Sequence, residues 1–165
     1  MKRFYTSLLT ILIFSIQACS DKTQVDLETE LTEVVKVLDN FNKAHEERNL
    51  ELLMTCFSDK SDIIILGTDE NELYVDKISM GKSQKRAYET FETIKLSIRD
   101  KVLKMCQDGN QAWFYMKVNW YVESGDSQYI FDGIRTTGVL EKENDKWKIV
   151  QLHTSMPVQG QAVNY

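Results

Sequence analysis

The chain holds one proline, seven glycines, three cysteines and two histidines in 165 residues, and each scarcity removes a class of protein. His45 and His153 are far apart in sequence and the cysteines never cluster, so no metal-ligand spacing is present and neither a metal nor a cofactor is expected. No glycine-rich loop is spaced to cradle a phosphate, and no nucleophile elbow occurs. Cations are in deficit, with 20 Lys and Arg against 25 Asp and Glu, a net charge of −5. Phosphate backbones are held by clustered Lys and Arg, so nucleic acid is not an expected partner. No apolar run reaches the ~20 residues that a membrane-spanning helix needs. Repeats and low-complexity segments are absent, and the length suits one domain with a real core.

What is present begins with an address. Lys2 and Arg3 precede Leu8-Leu9-Thr10-Ile11-Leu12-Ile13-Phe14, and the segment ends in Ile16-Gln17-Ala18-Cys19. A basic start, a short apolar stretch and a small residue before the cut are the marks of a secretion signal. Ile16–Cys19 resembles the bacterial lipobox, whose cysteine is acylated and becomes the first mature residue. The expected organisation is a signal peptide over 1–18, lipidation at Cys19, a polar tether over 19–24, a domain over 25–157 and a tail over 158–165. More than one acyl chain tethers a protein firmly, so a lipid anchor in a membrane of the bacterial cell envelope is expected. Ser20 implies outer-membrane and periplasmic placement by the same resemblance. In that oxidising compartment Cys56 and Cys106 either pair or stay separate buried thiols.

The rest of the chain divides into helices followed by strands. Leu27, Leu31, Val34, Leu38, Phe41 and His45 recur at spacings of three and four, predicting a long helix from Val25 with one apolar stripe. Asn49 breaks it, and Leu50–Phe57 predicts a short second helix. Asp62–Gly67 is β-branched and bounded by turn residues, hence a buried strand, with a short irregular strand over Leu73–Ile78. Gly81–Leu96 carries Tyr88, Phe91, and Ile94 or Lys95 at helical spacing, predicting a third helix. Four strands are predicted after it, over 97–106, 112–122, 129–142 and 146–155.

Alternation in the last strand puts Trp147, Ile149, Gln151, His153 and Ser155 on one face. A two-residue turn at Gly125-Asp126 sets Trp120 opposite Phe131, Met116 opposite Arg135 and Phe114 opposite Thr137. A three-residue turn over Glu143–Asp145 then sets Arg135 opposite His153 and Thr137 opposite Gln151. A two-residue turn there would flip the last strand and remove His153 from that face.

These features together resemble the SnoaL-like members of the nuclear transport factor 2-like superfamily. The resemblance rests on Phe41–Asn49 closing the long helix, a second helix ending at Phe57, Met80-Gly81 at the third helix, Ile134-Arg135-Thr136-Thr137, and Trp147–Pro157. It implies an α+β fold in which a cone-shaped, curved antiparallel sheet wraps around the N-terminal helices. It also implies a cavity between the concave face and the first helix, and homodimers through the convex face. It supplies no reaction, since this scaffold hosts isomerases, cyclases, dehydratases and non-enzymatic binders. Steroid-isomerase chemistry needs a carboxylate base and a Tyr and protonated Asp oxyanion hole. The corresponding positions here carry Phe41 and Ile65 or Leu66, which move no proton.

The expected ligand contacts are Arg135, Gln151, Thr137 and His153 as polar groups, with Phe41, Phe114, Met116 and Trp120 as apolar lining and His45 at its edge. Arg135 on an apolar face must find acceptors, from a ligand or from a structural ion pair. His153 is the one candidate for catalysis; the bland alternative is a strand histidine bonded to a neighbour. The aromatic residues serve equally well as ordinary core. The leading expectation is a membrane-tethered domain that binds an unidentified, partly apolar small molecule without catalysis. The alternatives are an isomerase, cyclase or hydrolase with His153 as base and Arg135 as electrostatic stabiliser, or an envelope assembly protein using Trp113, Tyr115, Tyr121, Leu140, Val150 and Leu152 as its convex face.

Overall fold

The computed structural model describes residues 25–158 together with Gly160 and Val163. The expected signal peptide, Cys19, the tether and the remainder of the tail lie outside the described residues. Three helices precede or interrupt six strands: α1 (Leu27–Glu46), α2 (Leu50–Cys56), β1 (Ile64–Leu66), β2 (Leu73–Tyr74), α3 (Lys77–Thr90), β3 (Thr93–Met105), β4 (Gln111–Ser124), β5 (Ser127–Glu143) and β6 (Lys146–Ser155).

The first helix starts where Asp26 accepts from the backbone N–H of Glu28 and Thr29, at 3.2 and 3.3 Å. Glu28 and Glu30 lie in its first turn and Lys43 in its last, the arrangement that complements the helix dipole. Its stripe is as the spacing predicts, with Val34, Leu38, Phe41, Ala44 and His45 buried. Asn49 accepts from Leu52 N–H at 2.9 Å and starts α2. The third helix departs from expectation at both ends. Asp76 accepts from Ser79 N–H at 2.7 Å and begins it before Gly81. Beyond Thr90 the β-branched Thr93 and Ile94 join β3 instead of continuing the helix.

The sheet runs β2-β1-β6-β5-β4-β3. All neighbours are antiparallel except β1 and β6, which pair in parallel, so the curved sheet of this α+β cone is mixed and does not close. Helix α1 crosses its concave side and is clamped at both ends. Glu30 accepts from Lys142 Nζ at 2.6 Å and Trp147 Nε1 at 2.8 Å, while Glu46 accepts from Leu96 N–H at 3.0 Å. Phe57, Leu38, Leu53, Ile63, Met116, Leu140 and Ile149 fill the fully buried centre between helices and sheet. Cys56 and Cys106 are separate thiols, one buried in α2 and one half-buried beyond β3.

Three one-residue bulges decide which side chains face inward. Arg99 is extra in β3, and Val150 is extra in β6 between the pairs Leu140–Ile149 and Val139–Gln151. In β5 the pairs Trp120–Phe131 and Val118–Ile134 leave Asp132 and Gly133 facing Asn119 alone. Gly133 takes φ 67° there, a conformation open to glycine at little cost, and donates its N–H to Asn119 Oδ1 at 3.0 Å. The Gly125-Asp126 turn between β4 and β5 is as expected and Trp120 does oppose Phe131, but beyond the bulge Met116 opposes Thr136 and Phe114 opposes Gly138.

The last hairpin closes on two residues, Asn144 and Asp145, both at positive φ, instead of three. That turn and the bulge at Val150 act on opposite halves of β6. Before the bulge Trp147 and Ile149 are buried; after it Leu152 is buried and Thr154 lines the interior. Gln151 and His153 therefore point to the convex side, as do Arg135 and Thr137 on β5.

Candidate ligand cavity

A cavity of about 420 Å³ opens between the C-terminal half of α1 and the concave sheet. Phe41 and His45 come to it from α1, Leu53 and Phe57 from α2 and its end, and Met80, Ser83, Gln84 and Ala87 from α3. The sheet supplies Trp120, Val122, Ile134, Thr136, Leu152 and Thr154, and Phe131 and Met156 complete that wall. The β1–β2 segment adds Ile65, Leu66, Thr68, Asp69, Glu72 and Tyr74 on its remaining side.

His45 is the polar centre of the wall. Its Nδ1 lies 3.0 Å from the Tyr88 hydroxyl, and its ring meets Phe41, Trp120 and Tyr88 edge to face at 4.7, 5.0 and 5.9 Å between centroids. Burial among these rings drives the imidazole pKa down from 6.5 to about 3, so it is neutral at physiological pH. Burial also pushes the Tyr88 phenol upward, which keeps its proton in place. The Trp120 indole N–H is closed off by packing and finds no acceptor.

The polar rim is differently made. Tyr74 donates its hydroxyl to Ser83 Oγ at 2.8 Å, tying β2 to α3. Glu72 accepts from the N–H of Thr68 and Asp69 at 2.8 and 3.2 Å, fixing the turn that carries both acids to the rim. Gly67 permits that turn, because a Cβ there would run into the Glu72 carboxylate.

Of the residues expected to line the site, Phe41, His45 and Trp120 do so. Phe114 and Met116 face inward but are buried in solid core and do not reach the space. Arg135, Thr137, Gln151 and His153 share a face with one another, but it is the convex one, a correction forced by the bulges at Gly133 and Val150. His153 stands opposite Thr137, and Arg135 reaches the Met156 carbonyl at 3.5 Å. Leu140 and Leu152, expected outside, are inside. Phe41, Ile65 and Leu66, the apolar residues that the resemblance sets at the isomerase positions, are all in the lining. Thr136 and Thr154 went unrecognised because strict alternation assigns them outward; a bulge leaves little trace in composition.

An α+β cone with its cavity between the first helix and a curved sheet defines the nuclear transport factor 2-like class. The sequence profile of the SnoaL-like domain matches residues 34–159, and the chain belongs to that family. Solved structures with the same fold include a nuclear transport factor 2-like superfamily protein from Salmonella enterica serovar Typhimurium. It is 16% identical with TM-score 0.72, over 84% of this chain and 99% of that one. A Streptomyces avermitilis protein of the class, provisionally named a dehydratase, matches at 16% identity and TM-score 0.70 over 79% and 98% of the two chains. A Novosphingobium aromaticivorans protein provisionally named a scytalone dehydratase matches at 10% and 0.70, over 79% and 86%. No curated protein matches. At these identities the likeness is one of fold.

Proposed function

We propose that the domain binds a small, partly apolar molecule in this cavity and performs no chemistry on it. The observation that carries the reading is a 420 Å³ space, within the range of ligand sites, whose inner wall is apolar apart from a neutral imidazole and two threonine hydroxyls. Burying roughly 200 Å² of apolar ligand surface at about 25 cal/mol per Å² gives about 5 kcal/mol before the costs of association. That supports a ligand held by shape and released readily.

The absence of catalysis is supported by the state of His45. A base with a pKa of about 3 has little drive to take a proton at neutral pH, and its partner is the Tyr88 phenol and not a carboxylate that would raise it. The second reading, an enzyme of the same fold, draws support from the relatives named as dehydratases and would have to run through His45, since His153 is on the other side of the sheet. NMR titration separates the two: an imidazole titrating near 6.5 in the ligand-free domain would favour the enzyme.

Mass spectrometry of the domain after gentle purification tests binding. The expected result is a bound small molecule that disappears in Ala87→Phe, which plugs the space from α3. An empty wild-type domain, or equal occupancy in a folded Ala87→Phe, overturns the proposal.

The same reading places the domain on a lipid tether at Cys19, facing the periplasm. Acylated N-terminal peptides in the mature protein, absent in Cys19→Ala, are the expected finding. Exposed Trp113 and Val102 with half-buried Tyr115 support a homodimer through the convex face. A monomeric mass in solution would remove that part of the proposal.

A further inference from the structure

The charges of the lining are all of one sign. Among the described residues Asp69 and Glu72 are its only charged side chains, no Lys or Arg contributes to it, and its one imidazole is neutral. Neither acid is in an ion pair among the described residues. Both are at one end of the space, on the turn between β1 and β2. Asp69 is exposed and Glu72 half-buried, whereas Phe41, Leu53, Phe57 and Ile65 around the rest are buried.

Cations near this rim are otherwise engaged or turned away. Lys77 of α3 pairs with Asp59 at 2.7 Å, Arg135 reaches Met156 O from the convex side, and Lys82, Lys85 and Arg86 are exposed on α3 without entering the lining. A ligand carboxylate or phosphate placed in the cavity would therefore meet two negative charges and no compensating one. At this end an ammonium would meet, as acceptors, Asp69, the free oxygen of Glu72, and the side-chain oxygens of Thr68 and Gln84. Ammonium groups have three donors and no acceptor, so the match is in hydrogen bonding as well as in charge.

We infer that the ligand is a cationic amphiphile, an apolar body bearing an amine, seated with its body against Phe41, Trp120 and Leu152 and its ammonium at Asp69 and Glu72. This rests on the binding reading above and narrows it to a chemical class. It reverses the expectation attached to Arg135, which on the concave face would have favoured anionic ligands. The low dielectric of the cavity wall lets the two acids act at the rim over several ångströms with less screening than in open water.

Isothermal titration calorimetry with octylamine, octanol and octanoate tests the inference, because the three share one apolar body. Octylamine is expected to bind roughly tenfold more tightly than octanol at low ionic strength, and octanoate weakest. The preference is expected to shrink in Asp69→Asn and on raising salt to 0.5 M, while octanol binding stays within about twofold. Asp69→Asn leaves the Glu72 contacts that hold the turn intact; Asp69→Asn with Glu72→Gln extends the test where both variants keep the wild-type circular dichroism spectrum. Octanol or octanoate binding as well as octylamine, or a preference untouched by Asp69→Asn, overturns the inference with binding itself left standing. Failure of all three probes, with no loss of a fluorescence-reported apolar dye in Ala87→Phe, overturns the binding reading.

Discussion

The Tyr88 hydroxyl meets His45 Nδ1 at 3.0 Å, joining the last turn of α1 to α3 inside a cage of aromatic rings. The pair makes the fold's stability sensitive to acid in a defined window. His45 titrates near 6.5 when unfolded and at about 3 when folded, so between those values the unfolded chain binds a proton that the folded one refuses. Stability is complete above 6.5 and falls as pH drops below it, at up to about 1.4 kcal/mol per pH unit. Denaturant unfolding from pH 7.5 to 5.5, where ordinary carboxylates stay almost wholly ionised, should show that decline in the wild type. His45→Gln should flatten it, and an unchanged slope in the variant would assign the acid sensitivity elsewhere.

Glu30 stitches α1 to the far edge of the same core. It is the acceptor for both Lys142 Nζ and the Trp147 indole N–H, and those two donors hold its carboxyl below the usual range. Glu30→Gln retains one acceptor oxygen for the indole and loses the charge, whereas Glu30→Ala leaves the indole unpaired in a half-buried place. The expected costs are about 1 kcal/mol for the first and about 2–3 kcal/mol for the second. Chemical denaturation of both variants checks the order, and equal costs would mean that the indole bond contributes nothing.

How far such a structure can be read in advance depends on whether the signal is periodic. The stripe from Leu27 to His45 and the turn at Gly125-Asp126 are legible because each is set by local chemistry, apolar spacing in one and glycine in the other. The sheet's inner face is not, since a single extra residue at Gly133 or Val150 inverts everything beyond it, and a bulge costs too little for composition to reveal it. That is why Phe41, His45 and Trp120 were identifiable as cavity residues while Arg135, Gln151 and His153 were assigned to the wrong side. The parallel pairing of β1 with β6 was equally hidden: a three-residue strand says nothing about its neighbour.

Gly138 lies where β5 lets Phe114 turn into the core. A Cβ at that position would come within 2.5 Å of the Phe114 ring and 2.7 Å of the Gln151 carbonyl oxygen, the latter being backbone that cannot swing away. Gly138→Ala is expected to destabilise by about 1–3 kcal/mol. Gly133→Ala meets the Lys117 side chain at 3.1 Å, which can move, so its cost is the positive φ alone, about 1–2 kcal/mol. Thermal unfolding of the two single variants, with Gly138→Ala repeated on a Phe114→Leu background, separates the causes. Partial rescue in that background is expected for a ring clash, and none would place the penalty in the backbone.

Val150 supplies the last and most direct test of the reading of the sheet. With the two-residue turn at Asn144-Asp145 fixed, deleting Val150 removes the bulge and makes Leu140–Ile149 and Val139–Gln151 consecutive pairs, so strict alternation keeps Leu152 and Thr154 inside and Gln151 and His153 outside. Were β6 regular through Val150, the same deletion would instead invert every side chain after Ile149. The expected cost of the deletion is about 1–2 kcal/mol of local repacking, with the cavity retained. Likewise, Arg135→Ala and His153→Gln lie on the convex face and should leave cavity occupancy within about twofold of wild type. If the deletion or either convex substitution emptied the cavity, the register that places these side chains outside would be wrong, and with it the boundary between lining and surface on which the amine site is built.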